Sequence, residues 1–259
     1  MTASCLFSSE GLIALAGYVT SDTLFAFDLD GTLAPIVDEY NAARVAEPVR
    51  YTLERLAKLA KVAVITGRSR NDAQDILGFE PHLLIGNHGA EWPFDPDTRN
   101  HQFVQLCTAW REKLHERLSG IQGVEIEFKR ESLSLHYRKA IDRDSALSHI
   151  DAAIGKLAPD PKRIGGKYVV NLLPMESFGK GEALEAAMEK FGLERAIYFG
   201  DDETDEEVFQ LRSVDVFGIH IGKDERTAAS YYLNKQSEMP GLLKSMVGIL
   251  ETYYCNKNC

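Results

Sequence analysis

A chain of 259 residues with 44% hydrophobic and 26% charged side chains has the balance of a folded globular protein, long enough for one large domain or for a domain with a smaller companion. Its formal net charge is −10, and no long Lys/Arg run offsets it, which argues against nucleic acid or an anionic membrane surface as the main partner. Four cysteines, Cys5, Cys107, Cys255 and Cys259, form no disulfide framework and read as reduced thiols of a cytoplasmic protein, with no His or further Cys beside the Cys255/Cys259 pair to complete a metal site.

The first element is an apolar patch, Gly11 to Val19. It lacks a preceding basic region and a small-residue cleavage site and is too short to span a bilayer, so a short helix beside the first strand is expected. Leu24 to Phe27 reads as a buried strand that stops at Asp28-Leu29-Asp30-Gly31-Thr32, where polarity and a glycine demand a loop. Two carboxylates leaving a strand end together repel unless a hard cation such as Mg²⁺ compensates them. With that cation, Asp28 has the chemistry of a nucleophile toward phosphorus and Asp30 that of the group handling the leaving oxygen's proton. A plain Asp-Gly turn is the competing reading.

Glu47-Pro48 opens a helix with Val49, Leu53, Leu56 and Leu59 on one face. Val62 to Ile65 is a second strand, ending at Thr66-Gly67-Arg68-Ser69, and a helix follows from about Asn71 to Leu77. A third strand, His82 to Ile85, ends in Gly86-Asn87-His88-Gly89-Ala90. Strand, turn and helix in this rhythm make a parallel sheet, whose ligands bind at the carboxyl ends of the strands.

From about Phe94 the pattern changes. A helix (Phe103 to Leu118), two strands (Val124 to Lys129 and Ser132 to Arg138), a helix (Arg143 to Leu157) and a strand (Lys167 to Leu173) form an inserted α+β unit without a catalytic-looking loop. Residues 104–176 hold twelve Lys/Arg against ten Asp/Glu, a basic half in an acidic protein and a suitable lid for an anionic substrate. Lys129, His136 and Arg138 are expected to face that ligand, the last two from one face of a strand.

Lys180-Gly181 starts a helix to about Phe191. Ala196 to Phe199 is a strand ending in Gly200-Asp201-Asp202-Glu203-Thr204-Asp205-Glu206. Five acidic residues in six positions are either a cation site or a solvated helix start; the second reading suits Glu206 and Glu207, the first Asp201 and Asp202. A strand (Val214 to Ile221) and a helix (Pro240 to Tyr253) close the chain. The expected fold is α/β: a Rossmann-like parallel-sheet core from residues 1–93 and 177–259, with an α+β cap at 94–176.

The Asp28 loop resembles the nucleophile motif D-x-D-G-T-L of the haloacid-dehalogenase-like (HAD) hydrolases. VITGRS with Thr66, Lys180, and Gly200 to Asp205 as GDD-x-x-D resemble the other three motifs of that superfamily, in its order. Within it the chain is most similar to the trehalose-6-phosphate phosphatase family, on DGTLAPIV (30–37), ITGRS (65–69), GNHGAEW (86–92), LHYR (135–138), KGEAL (180–184) and GDDETDEEVF (200–209).

The resemblance implies Mg²⁺-dependent hydrolysis of a sugar phosphate, most simply trehalose 6-phosphate, through an aspartyl-phosphate. Asp28, Asp30, Thr66 and Lys180 would be catalytic. Mg²⁺ would be held by Asp28, Asp201 and the Asp30 carbonyl, with Asp205 ligating directly or orienting water. Substrate contacts would come from Arg68, Asn87, His88, Lys129, His136, Arg138 and Asn171. The chain departs from the family's V-E-[IV]-[KR]-P pattern with Val170-Asn171-Leu172-Leu173-Pro174, which leaves another sugar phosphate as the alternative substrate. A phosphomutase of the same superfamily is a second alternative, and a dead binding domain a third, against which stand the intact Asp28, Asp30, Lys180 and Asp201. The small-molecule partner is expected to meet a monomer.

Overall fold

The computed structural model describes residues 3–37, 42–93, 98–166 and 168–257. The chain divides into two compact units, Met1–Gly89 with Phe178–Cys259, and Ala90–Ser177.

The first unit is built on a seven-stranded parallel sheet. In chain order its elements are β1 (Ser4–Cys5), α1 (Ser9–Tyr18), β2 (Thr23–Phe27), α2 (Glu47–Leu59), β3 (Lys61–Ile65), α3 (Arg70–Leu77) and β4 (Leu83–Ile85). The sheet order is set by strands from both ends of the chain. The central β2 is flanked by β3 and by the late strand at Arg195–Gly200.

Burial follows the parallel-sheet rule that both faces are covered, so the strands read as continuous apolar runs. All five residues of β2 are buried. Phe25 and Phe27 belong to one core with α2 residues Val49, Leu53 and Leu56, the apolar stripe expected of that helix. Phe27 stacks on Phe199 at 4.9 Å between ring centroids.

The second unit contains α4 (Thr98–Leu118), β5 (Glu125–Phe128), β6 (Leu133–His136), α5 (Arg143–Ile154), β7 (Lys162–Gly166) and β8 (Val169–Leu173). Its antiparallel sheet has the order β5-β6-β8-β7. Leu133, Leu135, Val170 and Leu172 point into a core with Trp110, Leu114 and Ile150. The alternate positions, Glu127, Ser134 and Asn171, are cross-strand partners on the opposite face.

Two expectations about this unit change. β7, Lys-Arg-Ile-Gly-Gly, is a strand where the sequence showed none, because two charges and two glycines leave no alternation to read. β6 ends at His136, so Arg138 is not on the strand; it is exposed in the turn that follows and accepts from Arg143 Nε at 3.3 Å through its backbone carbonyl. The start of the change near Phe94 and the first residue of the Lys167 strand fall outside the described residues.

The chain returns to the first unit with α6 (Lys180–Phe191), β9 (Arg195–Gly200), α7 (Glu206–Phe209), β10 (Asp215–Ile221), β11 (Tyr231–Leu233) and α8 (Met239–Lys257). β1, at one edge of the sheet, and β11, between β1 and β10, are short strands that no long alternation announces. No described helix is long and apolar enough to cross a membrane.

Candidate active site

The parallel sheet brings four loops together at the carboxyl ends of adjacent strands β9, β2, β3 and β4, the edge where such sheets bind ligands. β2 delivers Asp28, whose backbone N–H donates to Phe199 O at 2.8 Å. α6 delivers Lys180 as its first residue. A cation at a helix N-terminus opposes the helix dipole, and here two carboxylates offset it. Lys180 Nζ donates to Asp28 Oδ1 and to Asp205 Oδ1, both at 2.8 Å. All three residues are buried.

Asp205 is held from four directions. Oδ1 accepts from Lys180 and from Tyr198 Oη at 2.6 Å, and Oδ2 accepts from the backbone N–H groups of Asp201 and Asp202 at 3.0 Å each. A carboxylate offers about four lone-pair sites, so direct ligation, one of the two roles expected of Asp205, would require giving up one of these bonds. The structure makes it the residue that shapes the turn carrying Asp201. Glu206 is likewise no solvated helix start: its carboxylate accepts from Thr227 Oγ1 at 2.6 Å and Ala228 N at 2.8 Å.

Asp201 closes the cluster. One oxygen each of Asp28, Asp201 and Asp205 lie within 4.8 Å of one another. Among the described residues, Asp201 Oδ1 is buried without a hydrogen-bond partner, a costly state for a carboxylate oxygen. Asp201 reaches this position because residue 31 is glycine. A Cβ there would sit 1.9 Å from Asp201 Oδ2, and its φ of +80° disfavours any side chain. Three carboxylates against one ammonium, all oxygen donors and one of them unpartnered, fit a hard divalent cation.

The electrostatics carry the same signature. Burial lifts the Asp28 carboxyl to about 7; Lys180 opposes the shift and Asp205 adds to it. Burial, then the charges of Asp28 and Asp205, lift Asp201 to about 9. Burial also raises the Tyr198 hydroxyl well above its ordinary value, so it stays a donor. Without metal, the folded chain therefore holds protons on Asp28 and Asp201 that the unfolded chain releases near pH 4. The contribution of these two groups to stability falls as pH rises from about 4 to about 9. A cation that binds the ionised carboxylates reverses this. In EDTA the melting temperature is expected to drop between about pH 5 and pH 8, and Mg²⁺ is expected to restore more of it at the higher pH. Scanning calorimetry at the two pH values checks this, and a pH-independent midpoint indifferent to Mg²⁺ would refute it.

The neighbouring loops hold the remaining expected residues of this unit. Thr66, 1% exposed, accepts from Arg68 N at 3.2 Å through Oγ1. Arg68 grips both Asp30 oxygens, Nε to Oδ2 and a terminal nitrogen to Oδ1, each at 2.7 Å. Arg68 thus serves Asp30 here, and Asp30 must release one of these bonds to carry a proton. The 86–89 loop is strapped to the β3 loop by Asn87 N to Arg68 O (2.8 Å) and His88 N to Thr66 O (2.9 Å). Asn87 and His88 both have positive φ, 49° and 57°, backbone strain of the kind concentrated at functional sites. The His88 ring lies where a Cβ on Gly67 would stand, 2.4 Å from its Cε1.

In the second unit, His136 Nε2 lies 2.9 Å and Lys129 Nζ 3.6 Å from the same Glu127 carboxylate. Asn171 Oδ1 accepts from Ser134 Oγ at 2.6 Å. Leu173 is fully buried. Glu127 and Tyr198 are not among the expected residues, although the alternation of Glu127 with Glu125 and Lys129 puts it on the polar face and the Tyr198 hydroxyl inside an apolar strand has to find a partner.

The Trehalose-phosphatase family model matches residues 26–237. A probable trehalose-phosphate phosphatase D of Arabidopsis thaliana is 28% identical over 244 residues, covering 85% of this chain and 66% of that protein. A trehalose-phosphate phosphatase of Mycobacterium marinum is 31% identical, covering 86% of this chain and 62% of that protein. The chain therefore spans about two thirds of the length of these curated relatives. Among solved structures, a trehalose-6-phosphate phosphatase related protein superposes with a TM-score of 0.74 at 23% identity, over 88% of this chain and 98% of that one. The C-terminal domain of the Candida albicans trehalose-6-phosphate phosphatase superposes with a TM-score of 0.70 at 22% identity, over 96% of this chain and 99% of that one. At these identities the structures speak for the fold.

Proposed function

The chain belongs to the trehalose-phosphatase family, and from that premise we propose that it hydrolyses trehalose 6-phosphate to trehalose and phosphate with the help of a divalent cation, Mg²⁺. The observation that carries this reading is the buried cluster of Asp28, Lys180, Asp201 and Asp205, with its unpartnered Asp201 oxygen, at the carboxyl end of the sheet.

An Asp28 carboxylate oxygen attacks phosphorus, the bond from phosphorus to the sugar oxygen breaks, and the leaving oxygen takes its proton from Asp30. This forms an aspartyl-phosphate on Asp28. Water then attacks the same phosphorus, gives its proton to Asp30, and frees Asp28 and inorganic phosphate. Lys180 holds Asp28 in position throughout through Oδ1 and, with Thr66, supplies hydrogen bonds to the phosphoryl oxygens. Asp28, Asp201 and the Asp30 carbonyl would hold Mg²⁺, which supplies positive charge against the carboxylates and the phosphoryl group. Arg68 must let go of one Asp30 oxygen for the proton step, and the incoming phosphate is a competing bidentate partner for it.

Sugar recognition suits the polar strand face of the second unit, where Glu127, Lys129, Ser134, His136 and Asn171 offer acceptors and a cation to hydroxyl groups. Asn171 is a neutral acceptor where the family pattern has a glutamate, so weaker discrimination between sugar phosphates is expected. Among the described residues, Cys5, Cys107 and Cys255 are free thiols, in keeping with a reducing cytosolic setting.

The test is phosphate release from trehalose 6-phosphate beside a panel of hexose monophosphates, with Mg²⁺ and with EDTA, and trehalose identified by chromatography. Trehalose 6-phosphate is expected to turn over fastest, and EDTA to stop the reaction. A faster hexose monophosphate would replace the substrate. Transfer of phosphate to another sugar hydroxyl without release would replace hydrolysis by a mutase reaction.

A further inference from the structure

β9 carries Tyr198 on the sheet face opposite to Phe199. Its ring packs edge-on against Phe209 at 5.8 Å, and its hydroxyl has one partner in the cluster, Asp205 Oδ1 at 2.6 Å. Asp205 is fully buried and has Lys180 on the same oxygen and two backbone N–H groups on the other. Every acceptor position of this carboxylate is therefore taken by a protein donor. Asp28 keeps one oxygen clear of Lys180, and Asp201 Oδ1 is unpartnered among the described residues. The number of carboxylates open to a cation is thus decided by donors on Asp205. Of these, Tyr198 is the one that neither belongs to the metal loop nor carries charge.

We propose that Tyr198 is a positioning residue that keeps Asp205 out of the coordination sphere of the cation and thereby favours Mg²⁺ over Ca²⁺. This rests on the metal reading given above. The physical basis is ligand number. Mg²⁺ is content with one or two carboxylates and keeps several waters, whereas Ca²⁺ takes six to eight oxygen ligands and gains from each further carboxylate. Removing the Tyr198 hydroxyl returns one lone pair of Asp205 to the site without changing its charge.

The experiment is isothermal titration calorimetry of Mg²⁺ and of Ca²⁺ on the full chain, in wild type and Tyr198→Phe, at one pH. Phe keeps the ring contact with Phe209. Wild type is expected to prefer Mg²⁺, and the ratio of the Mg²⁺ to the Ca²⁺ Kd is expected to rise about tenfold in the variant as one carboxylate oxygen becomes available. A general loosening of the fold would weaken both cations together and leave the ratio unmoved. An unchanged ratio in a variant that still binds Mg²⁺ overturns the role of Tyr198 while the metal reading stands. If Tyr198→Phe does not fold, wild type alone decides: Ca²⁺ bound as tightly as Mg²⁺ overturns the proposal. A wild-type chain that binds neither cation overturns the metal reading and this inference with it.

Discussion

Asp28→Asn is expected to lower kcat on trehalose 6-phosphate by at least about 10⁴-fold, the scale on which loss of a single covalent catalyst is felt, while the protein stays folded. The substitution removes the attacking charge and little else. The amide oxygen can still accept from Lys180, which now bonds Asp28 Oδ1 at 2.8 Å. Asp28 sits in a cluster where its own charge lifts Asp201, so its removal relieves repulsion, and the metal-free melting temperature is expected to hold or rise. Phosphate release together with a thermal melt measures both. Retention of more than about a hundredth of wild-type turnover, beyond what a positioned general catalyst alone explains, would remove Asp28 from the nucleophile's place.

The second large effect concerns the fold as much as the chemistry. Lys180 is 2% exposed and is the shared partner of two buried carboxylates. Lys180→Met keeps the unbranched apolar stem of the side chain and deletes the charged end. Breaking a buried pair from one side typically costs about 3–5 kcal/mol, and turnover is expected to disappear with it. The pH dependence separates this account from a simple packing defect. Burial lowers the Lys180 ammonium, but Asp205 and Asp28 together outweigh it and hold the group above its ordinary value. Lys180 is therefore charged in folded and unfolded chains alike below about pH 10, and its contribution is lost only above that. Without it, Asp28 and Asp201 lose the one influence that lowers them and take up protons on folding over a wider range. The variant's deficit is then expected to be smaller near pH 5 than near pH 8 in urea melts without metal. Equal losses at the two pH values would mean that the ion pairs do not govern the site.

The order of the elements and the chemistry at their ends follow from the residue pattern alone. Apolar runs such as Leu24 to Phe27 and Ala196 to Phe199 could only be strands buried on both faces, and each stopped at residues that no core accepts. A parallel sheet then obliges those stops to share one edge, which is why Asp28, Thr66 and Asp201 were legible as neighbours before any contact was known. Elements with neither period nor length escaped that reading. β7 has glycines where a pattern would stand, and the strands β1 and β11 are two and three residues long.

Which side chain binds which within the site depends instead on how the folded elements converge. Lys180 meets Asp28 across 152 positions of sequence, and Arg68 meets Asp30 across 38. Neither spacing carries a signal, because a side chain's partner is set by how strand ends and helix starts converge. The same holds for Asp205: in the sequence it is one acidic residue of five, expected either to ligate a cation directly or to orient its water. In the fold, Tyr198, Lys180 and two backbone N–H groups take its oxygens, and the unpartnered one belongs to Asp201. Motifs name residue types that a reaction needs, while burial and hydrogen-bond saturation decide which of them is left with a lone pair to use.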